Sequence, residues 1–423
     1  MRILFITPYL PGPLRTRPFN FLKELSARHR ITLLSPIFAS EEEAAALELA
    51  RTLPNLEIKT VFLPKLESIA RSLLAGLTGQ SMQAFFCYSS ELVRAAREIL
   101  QEGDFQLVHV EHYRAAFLGR ELRSTTIPVV YDAVDSISLL VERTLRHGPL
   151  KQRLVSGLEL GATRRYEGAL ISGGGFEQVC ATSREDATAL TRLAGPVNPG
   201  RRNRSPGEEI SPVTVIPNGV NIAEFTPPPP NFKRHPATAI FTGKMSYHAN
   251  AAAARYLVKE IWPRVRLAHQ EARLLIVGSN PPEDLLAQSG RYGIEVTGYV
   301  PDLSGYLKMA SVSVSPLVYS VGIQNKVLEA MACATPTIAS AQISRSINAR
   351  DGQELLLVPD HQPAAFARRI LDLFENPDQA ARLGQAGRDF VVREHTWERA
   401  SRQLEDLWEA ALVPQAVPAA LVS

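Results

Sequence analysis

Short runs of aliphatic and β-branched residues alternate along the chain with longer stretches whose apolar residues recur every three or four positions. Ile3–Thr7 is the first run, and Pro18, Phe21, Leu22 and Leu25 follow at helical spacing. Ile31–Leu34, Val108–Val110, Pro128–Tyr131 and Val179–Thr182 read as further strands, with helical patterns at Ser90–Leu100 and Leu154–Leu170 between them. The rhythm breaks near Gly195–Pro212, where Pro, Gly and charge leave almost nothing to bury, and the segment reads as an exposed loop. It restarts after Val213–Asn218 and the prolines Pro227–Pro230. Strands are expected at Ala239–Thr242, Arg273–Val277, Ile294–Thr297, Val312–Ser315 and Thr337–Ala339. Helices are expected at Ala251–Ala268, Ser304–Met309, Asn325–Ala332 and Pro363–Phe374.

Strand–helix alternation of this kind builds parallel sheets with helices on both faces. The pattern therefore predicts two doubly wound α/β halves. Their boundaries fall at 1–219, with the exposed loop 195–212, and at 220–390. Residues 391–423 hold an amphipathic helix with Trp397, Leu404, Leu407, Trp408 and Ala411 near one face, returning to the first half, and then a frayed tail. Ligands in such sheets bind in the crevice at the carboxyl ends of the strands. Two facing sheets would make one cleft.

The charge balance narrows the partners. The chain of 423 residues has a net charge of only +3, which argues against a grip on duplex nucleic acid. Residues 201–350 alone carry 16 basic and 10 acidic side chains, an excess suited to one small anion. Three distant cysteines without metal-ligand spacing point to a reduced, cytoplasmic setting. No apolar run is long enough to span a bilayer, and the first ten residues do not read as a secretory signal. Residues 59–100 intersperse Lys59, Lys65, Arg71, Arg94 and Arg97 with Phe62, Leu63, Leu66, Leu73, Leu74, Leu77, Phe85 and Phe86. This pattern fits either helix packing or peripheral contact with the inner face of a membrane.

Most of the chemistry sits in VSVSPLVYSVGIQNKVLEAMACATPTIAS, residues 312–340. A helix starting at a strand's carboxyl end aims its unsatisfied N–H groups and positive dipole end into the crevice, which suits a phosphate. Gly322 lets backbone approach a ligand closely. Lys326 can neutralise a diphosphate. Glu329, one turn on, can accept hydrogen bonds from the two hydroxyls of a ribose. A surface ion pair would give the same spacing.

The segment Lys326–Ala332, KVLEAMA, resembles the donor-binding signature of the family 4 retaining glycosyltransferases. VIPNGVNIAEF at Val215–Phe225 resembles their inter-domain segment, and IFTGKMSYHAN at Ile240–Asn250 their first donor-domain strand and turn. LLIVGSNP and VTGYVPDLSGYLKMASVSVSPL match in order, and GIQNKVLEAMA is most similar to sugar transferases of exopolysaccharide and exosortase-linked gene clusters. The resemblance implies a GT-B fold of two facing Rossmann-like domains and a nucleotide-diphosphate sugar, UDP- or GDP-linked, as donor substrate, with no tightly bound cofactor. The acceptor is then a glycan, a lipid-linked sugar or a small molecule, and a nucleic-acid partner is not expected. Donor contacts fall on Gly243, Lys244, Gly322, Ile323, Gln324, Asn325, Lys326 and Glu329. The family often places a first glutamate eight positions before Glu329; here Val321 occupies it, which moves sugar recognition to backbone N–H groups near Gly322–Gln324.

In the first half, the loop YLPGPLRTRPF follows the first strand where relatives carry a glycine-rich loop; Gly12 is its remnant, and Arg17 adds a cation. His109 and His112 are three apart at a strand end and face opposite sides, so they do not share a metal. By resemblance His112 approaches the donor sugar. Asp132 and Asp135 read either as acceptor-hydroxyl ligands or as caps, with Glu111 a further option. No D-x-D occurs, and the resemblance implies retention at the anomeric carbon without a metal, with Lys326, Glu329 and His112 as the catalytic set. Two alternatives share the architecture: a nucleotide-sugar 2-epimerase and a non-catalytic nucleotide-binding subunit.

Overall fold

A computed structural model describes all residues except 14, 124, 174, 195–212, 320, 321 and 414–423. The expected exposed loop, Val321 and the tail from 414 thus lie outside the described residues. The chain divides into two compact units. One comprises Met1–Val141, Val155–Ile216 and the carboxyl-terminal segment from Ala400; the other comprises Glu142–Leu154 and Pro217–Arg399.

The first unit holds seven strands: β1 (Arg2–Ile6), β2 (Arg30–Ile37), β3 (Leu56–Phe62), β4 (Leu107–Glu111), β5 (Val129–Asp132), β6 (Gln178–Ala181) and β7 (Thr214–Val215). All pairings are parallel, in the order β3-β2-β1-β4-β5-β6-β7. β1 sits centrally, with Ile3 opposite Ile31 on one side and Leu107 on the other. Its last four residues are wholly buried, as expected of a strand covered on both faces.

The second unit holds β8 (Thr238–Thr242), β9 (Arg273–Val277), β10 (Ile294–Gly298), β11 (Val312–Ser315), β12 (Thr337–Ser340) and β13 (Leu356–Val358), parallel, in the order β10-β9-β8-β11-β12-β13. In each sheet the strand order reverses once, between β1 and β4 and between β8 and β11. These are the switch points where flanking loops diverge and open a crevice. The two Rossmann-like sheets are those of the GT-B fold.

Several elements differ from the sequence reading. β3 has only Leu56 fully buried because it is an edge strand, so its apolar signal is weak. The short β13 and the helix Pro377–Glu394 are also additional. That helix carries Gly384 against the Ala334 carbonyl, which a Cβ would approach to 2.2 Å, and close backbone packing replaces part of its apolar stripe. The helix expected at Ala251–Ala268 starts at His248 and passes through a π-helical turn at Leu257–Ile261, just before Pro263, which has no N–H to donate. The last helix, Trp397–Leu412, buries Leu404 and Trp408 in the first unit, where the Trp408 indole donates to His109 Nδ1 at 3.2 Å. His109 is fully buried, and that burial pushes its imidazole down to about 4.

Candidate functional site

The second unit's crevice is built at its switch point. The helix Asn325–Ala332 follows β11 through the loop containing Gly322, whose φ of 65° is left-handed and favours glycine. Gln324 stands at the N-cap, so the positive dipole end of this helix lies at the carboxyl-end side of β11. Ile323 is buried beneath this turn and Asn218 Nδ2 donates to Asn325 Oδ1 at 3.2 Å. The helix buries Val327, Leu328 and Met331, which fixes the direction of its opposite face.

Lys326 is only 8% exposed. Its Nζ donates to Asn250 Oδ1 and lies 5.1 Å from the Phe241 ring centroid. Burial pushes this ammonium down to about 7, partly offset by Glu329. Asn250 in turn donates from Nδ2 to the Lys244 carbonyl at 3.0 Å. One amide thus ties the turn after β8 to the helix after β11. Gly243 and Gly278 bring the turns after β8 and β9 together: a Cβ on Gly278 would meet the Gly243 carbonyl oxygen at 1.9 Å. The Lys244 side chain is exposed beside them. Glu329 is half-buried; burial first, then the nearby Glu224 carboxylate, pushes it up to about 7. Among the described residues the Glu329 carboxylate has no hydrogen-bond or ion-pair partner, which leaves it available to a ligand.

In the second unit, Gly243 and Lys244 in the turn after β8 and the segment Gly322, Ile323, Gln324, Asn325, Lys326 and Glu329 after β11 thus follow neighbouring strands at the switch point, joined through Asn250. Asn250 is named in the family-like turn, but its bridging role is invisible without the tertiary contact. The Tyr319 hydroxyl bonds to His248 Nδ1, another link that sequence spacing does not reveal.

In the first unit the expected residues also gather at a switch point, but some engage each other. Arg17 is 4% exposed; its Nε donates to Asp132 Oδ2 at 2.7 Å and its Nη1 to the Ile216 carbonyl at 3.0 Å. Asp132 is fully buried and also accepts from the Val134 N–H at 3.0 Å. The pair is an internal tie between the helix after β1 and the end of β5. Arg15 is the exposed cation of this loop, tied to Gly12 through its backbone N–H at 2.8 Å and stacked 4.3 Å over Tyr9. Asp135 is half-buried and accepts from Thr182 at 2.9 Å; burial and Asp186 push its carboxyl up to about 7.

His112 directly follows β4 with φ of 73°, a left-handed conformation uncommon for a non-glycine residue and enriched at functional sites. Its N–H donates to the Asp132 carbonyl at 2.7 Å, and its Nδ1 accepts from the Arg114 N–H at 3.2 Å. Burial pushes its imidazole down to about 4, so it is neutral at pH 7. Burial likewise pushes the neighbouring Glu111 up to about 8.

The fold defines the class of architecture, GT-B. Residues 236–376 match the family model described as Glycosyl transferases group 1. Among curated proteins, the D-inositol 3-phosphate glycosyltransferase of Streptomyces coelicolor is 33% identical over 141 residues, covering 32% of this chain and 30% of that one. The chain thus spans about 30% of the length of that relative. Among solved structures, sucrose-phosphate synthase from Thermosynechococcus elongatus superimposes with a TM-score of 0.66 at 18% identity over 96% of this chain and 98% of that one. HepE of Anabaena, solved in complex with UDP, gives 0.65 at 14% identity over 97% and 100%.

Proposed function

We propose that the protein transfers a sugar from a nucleotide-diphosphate donor to a glycan, lipid-linked or small-molecule acceptor, with retention at the anomeric carbon and without a divalent metal. The observation that carries this reading is the buried Lys326 held by Asn250 at a helix start on the switch point of the second sheet. An ammonium and first-turn N–H groups aimed at one place stabilise the negative charge that develops on a leaving diphosphate. Glu329, on the same helix face, takes the ribose hydroxyls.

As the bond between the anomeric carbon and the phosphate oxygen breaks, the acceptor oxygen bonds to that carbon on the same face. The acceptor proton passes to the departing phosphate oxygen, so no protein base is required. His112, neutral at pH 7, contributes by approaching the donor sugar; the half-buried Asp135 orients acceptor hydroxyls, while Asp132, buried and held by Arg17, supports the strand end beside it. Gly12 and Arg15 line the same loop. UDP is the first donor nucleotide to examine, because HepE was solved with it, and GDP the second. The GIQNKVLEAMA run favours an exopolysaccharide-type acceptor.

A thermal-shift titration tests the nucleotide site. UDP or GDP should raise the melting midpoint of the wild type and leave Lys326→Ala unmoved. A wild type indifferent to both nucleotides would remove the basis of the reading.

A further inference from the structure

The helix Lys65–Leu77 is built inside out. Its buried residues are Ser68 and Ala75, while Leu66 is 82%, Leu73 59%, Leu74 61% and Leu77 84% exposed, with Ile69 beside them. Positions 66, 69, 73 and 77 recur at three and four, so these side chains form one stripe, opposite Ser68 and Ala75. A helix that packs only against its own protein in water places that stripe inward.

A second helix, in the same unit from Val155 on, turns much of its polar side inward. Leu150–Gly173 buries Ser156, Glu159, Thr163 and Glu167 along with Ala162 and Leu170, and exposes Leu158 at 83%. Its inward polar face has a structural cause. The Glu159 carboxylate accepts from Ser81 Oγ and the Met82 and Gln83 N–H groups, and Glu167 accepts from the Ile137 and Ser138 N–H groups, so both act as caps for neighbouring helix starts. The two elements are tied: Arg165 donates to the Gly79 carbonyl at 2.7 Å, just beyond the end of the first helix.

Cations border the apolar stripe. Lys65 and Arg165 are exposed, whereas Arg71 turns to the inward side and donates to the buried Ser68 Oγ at 3.3 Å; Glu67 is the only carboxylate on the first helix and Glu159 is buried in the second. Apolar side chains outward, flanked by cations with few exposed carboxylates, match the interface of an anionic bilayer. No helix among the described residues is long and apolar enough to cross a membrane, so the contact would be peripheral.

We propose that the outward stripe of Leu66, Leu73 and Leu77 on the helix Lys65–Leu77, with the exposed Leu158 and the cations Lys65 and Arg165, docks the first unit onto an anionic membrane surface. The leucines enter the region between headgroups and acyl chains, and the cations meet lipid phosphates. This inference stands apart from the sugar-transfer reading, because it invokes none of the crevice residues.

Vesicle flotation of the full-length protein tests it, with vesicles of phosphatidylglycerol and phosphatidylcholine in equal parts and vesicles of phosphatidylcholine alone. The wild type should float with the anionic vesicles and less with the neutral ones, and raised salt should weaken the difference. The triple variant Leu66→Ser, Leu73→Ser and Leu77→Ser should lower partitioning by about tenfold or more. Its melting midpoint should hold, since these side chains already face water. Leu267→Ser, at an exposed leucine of the second unit, should float like the wild type. A wild type left in the soluble fraction with both vesicle types would overturn the proposal. So would a triple variant that floats unchanged, or a wild-type dimer that the triple variant converts to monomer, which would give the stripe to a second copy of the chain.

Discussion

Lys326 and Glu329 lie three residues apart, and burial moves both toward neutrality from opposite sides, each to about 7. A bound diphosphate restores the charged form of the lysine, and ribose hydroxyls favour the ionised form of the glutamate. At pH 8 the free protein holds a mostly neutral Lys326 and an ionised Glu329, so binding takes up a proton. At pH 6 Lys326 is already charged and Glu329 is protonated, so binding releases one. Isothermal titration of UDP or GDP in buffers of different ionisation enthalpy should therefore show proton uptake at pH 8 and release at pH 6. Replacing Lys326 with Met should abolish the uptake. A proton count of zero at both pH values would contradict the assignment. These two residues were legible in the sequence because spacing and the KVLEAMA motif carry them. The pairing of Arg17 with Asp132 was not, since 115 residues separate them and each alone resembles a ligand contact.

At the level of elements, strands with continuous apolar runs were the easiest to read, and β9 and β11 match their expected bounds. Edge strand β3 and the three-residue β13 were lost because partial burial and shortness erase the pattern. The inverted helices show a different limit: periodicity reveals two faces but not which one turns inward. The crevice of the second unit depends on turns pressed together, and Gly278, with φ of 149°, admits no side chain against Gly243. Gly278→Ala should separate the turns after β8 and β9 and disturb the Asn250 bridge to Lys326. We expect it to cost about 2 kcal/mol or more of stability, in the range of backbone strain at such positions, together with nucleotide affinity. Calorimetric melting with and without UDP or GDP checks both effects; a variant with wild-type midpoint and affinity would show the close approach to be dispensable.

For the whole molecule, the net charge of +3 conceals a basic middle segment, and that segment holds both Lys244 and Lys326. The βαβ rhythm made two Rossmann-like sheets readable, whereas the grouping of Glu142–Leu154 with the second unit depends on contacts that no local pattern encodes. The central claim is that a buried lysine and a helix start, without a metal, drive departure of a nucleoside diphosphate. It is tested most directly by the rate of nucleoside diphosphate release from a panel of UDP- and GDP-sugars, measured in EDTA for the wild type, Lys326→Ala and Glu329→Ala. The account predicts release by the wild type that EDTA leaves intact and that Lys326→Ala lowers by about 100-fold or more, the scale of one lost charge-stabilising group. Release that vanishes in EDTA, or that survives both substitutions, would contradict it.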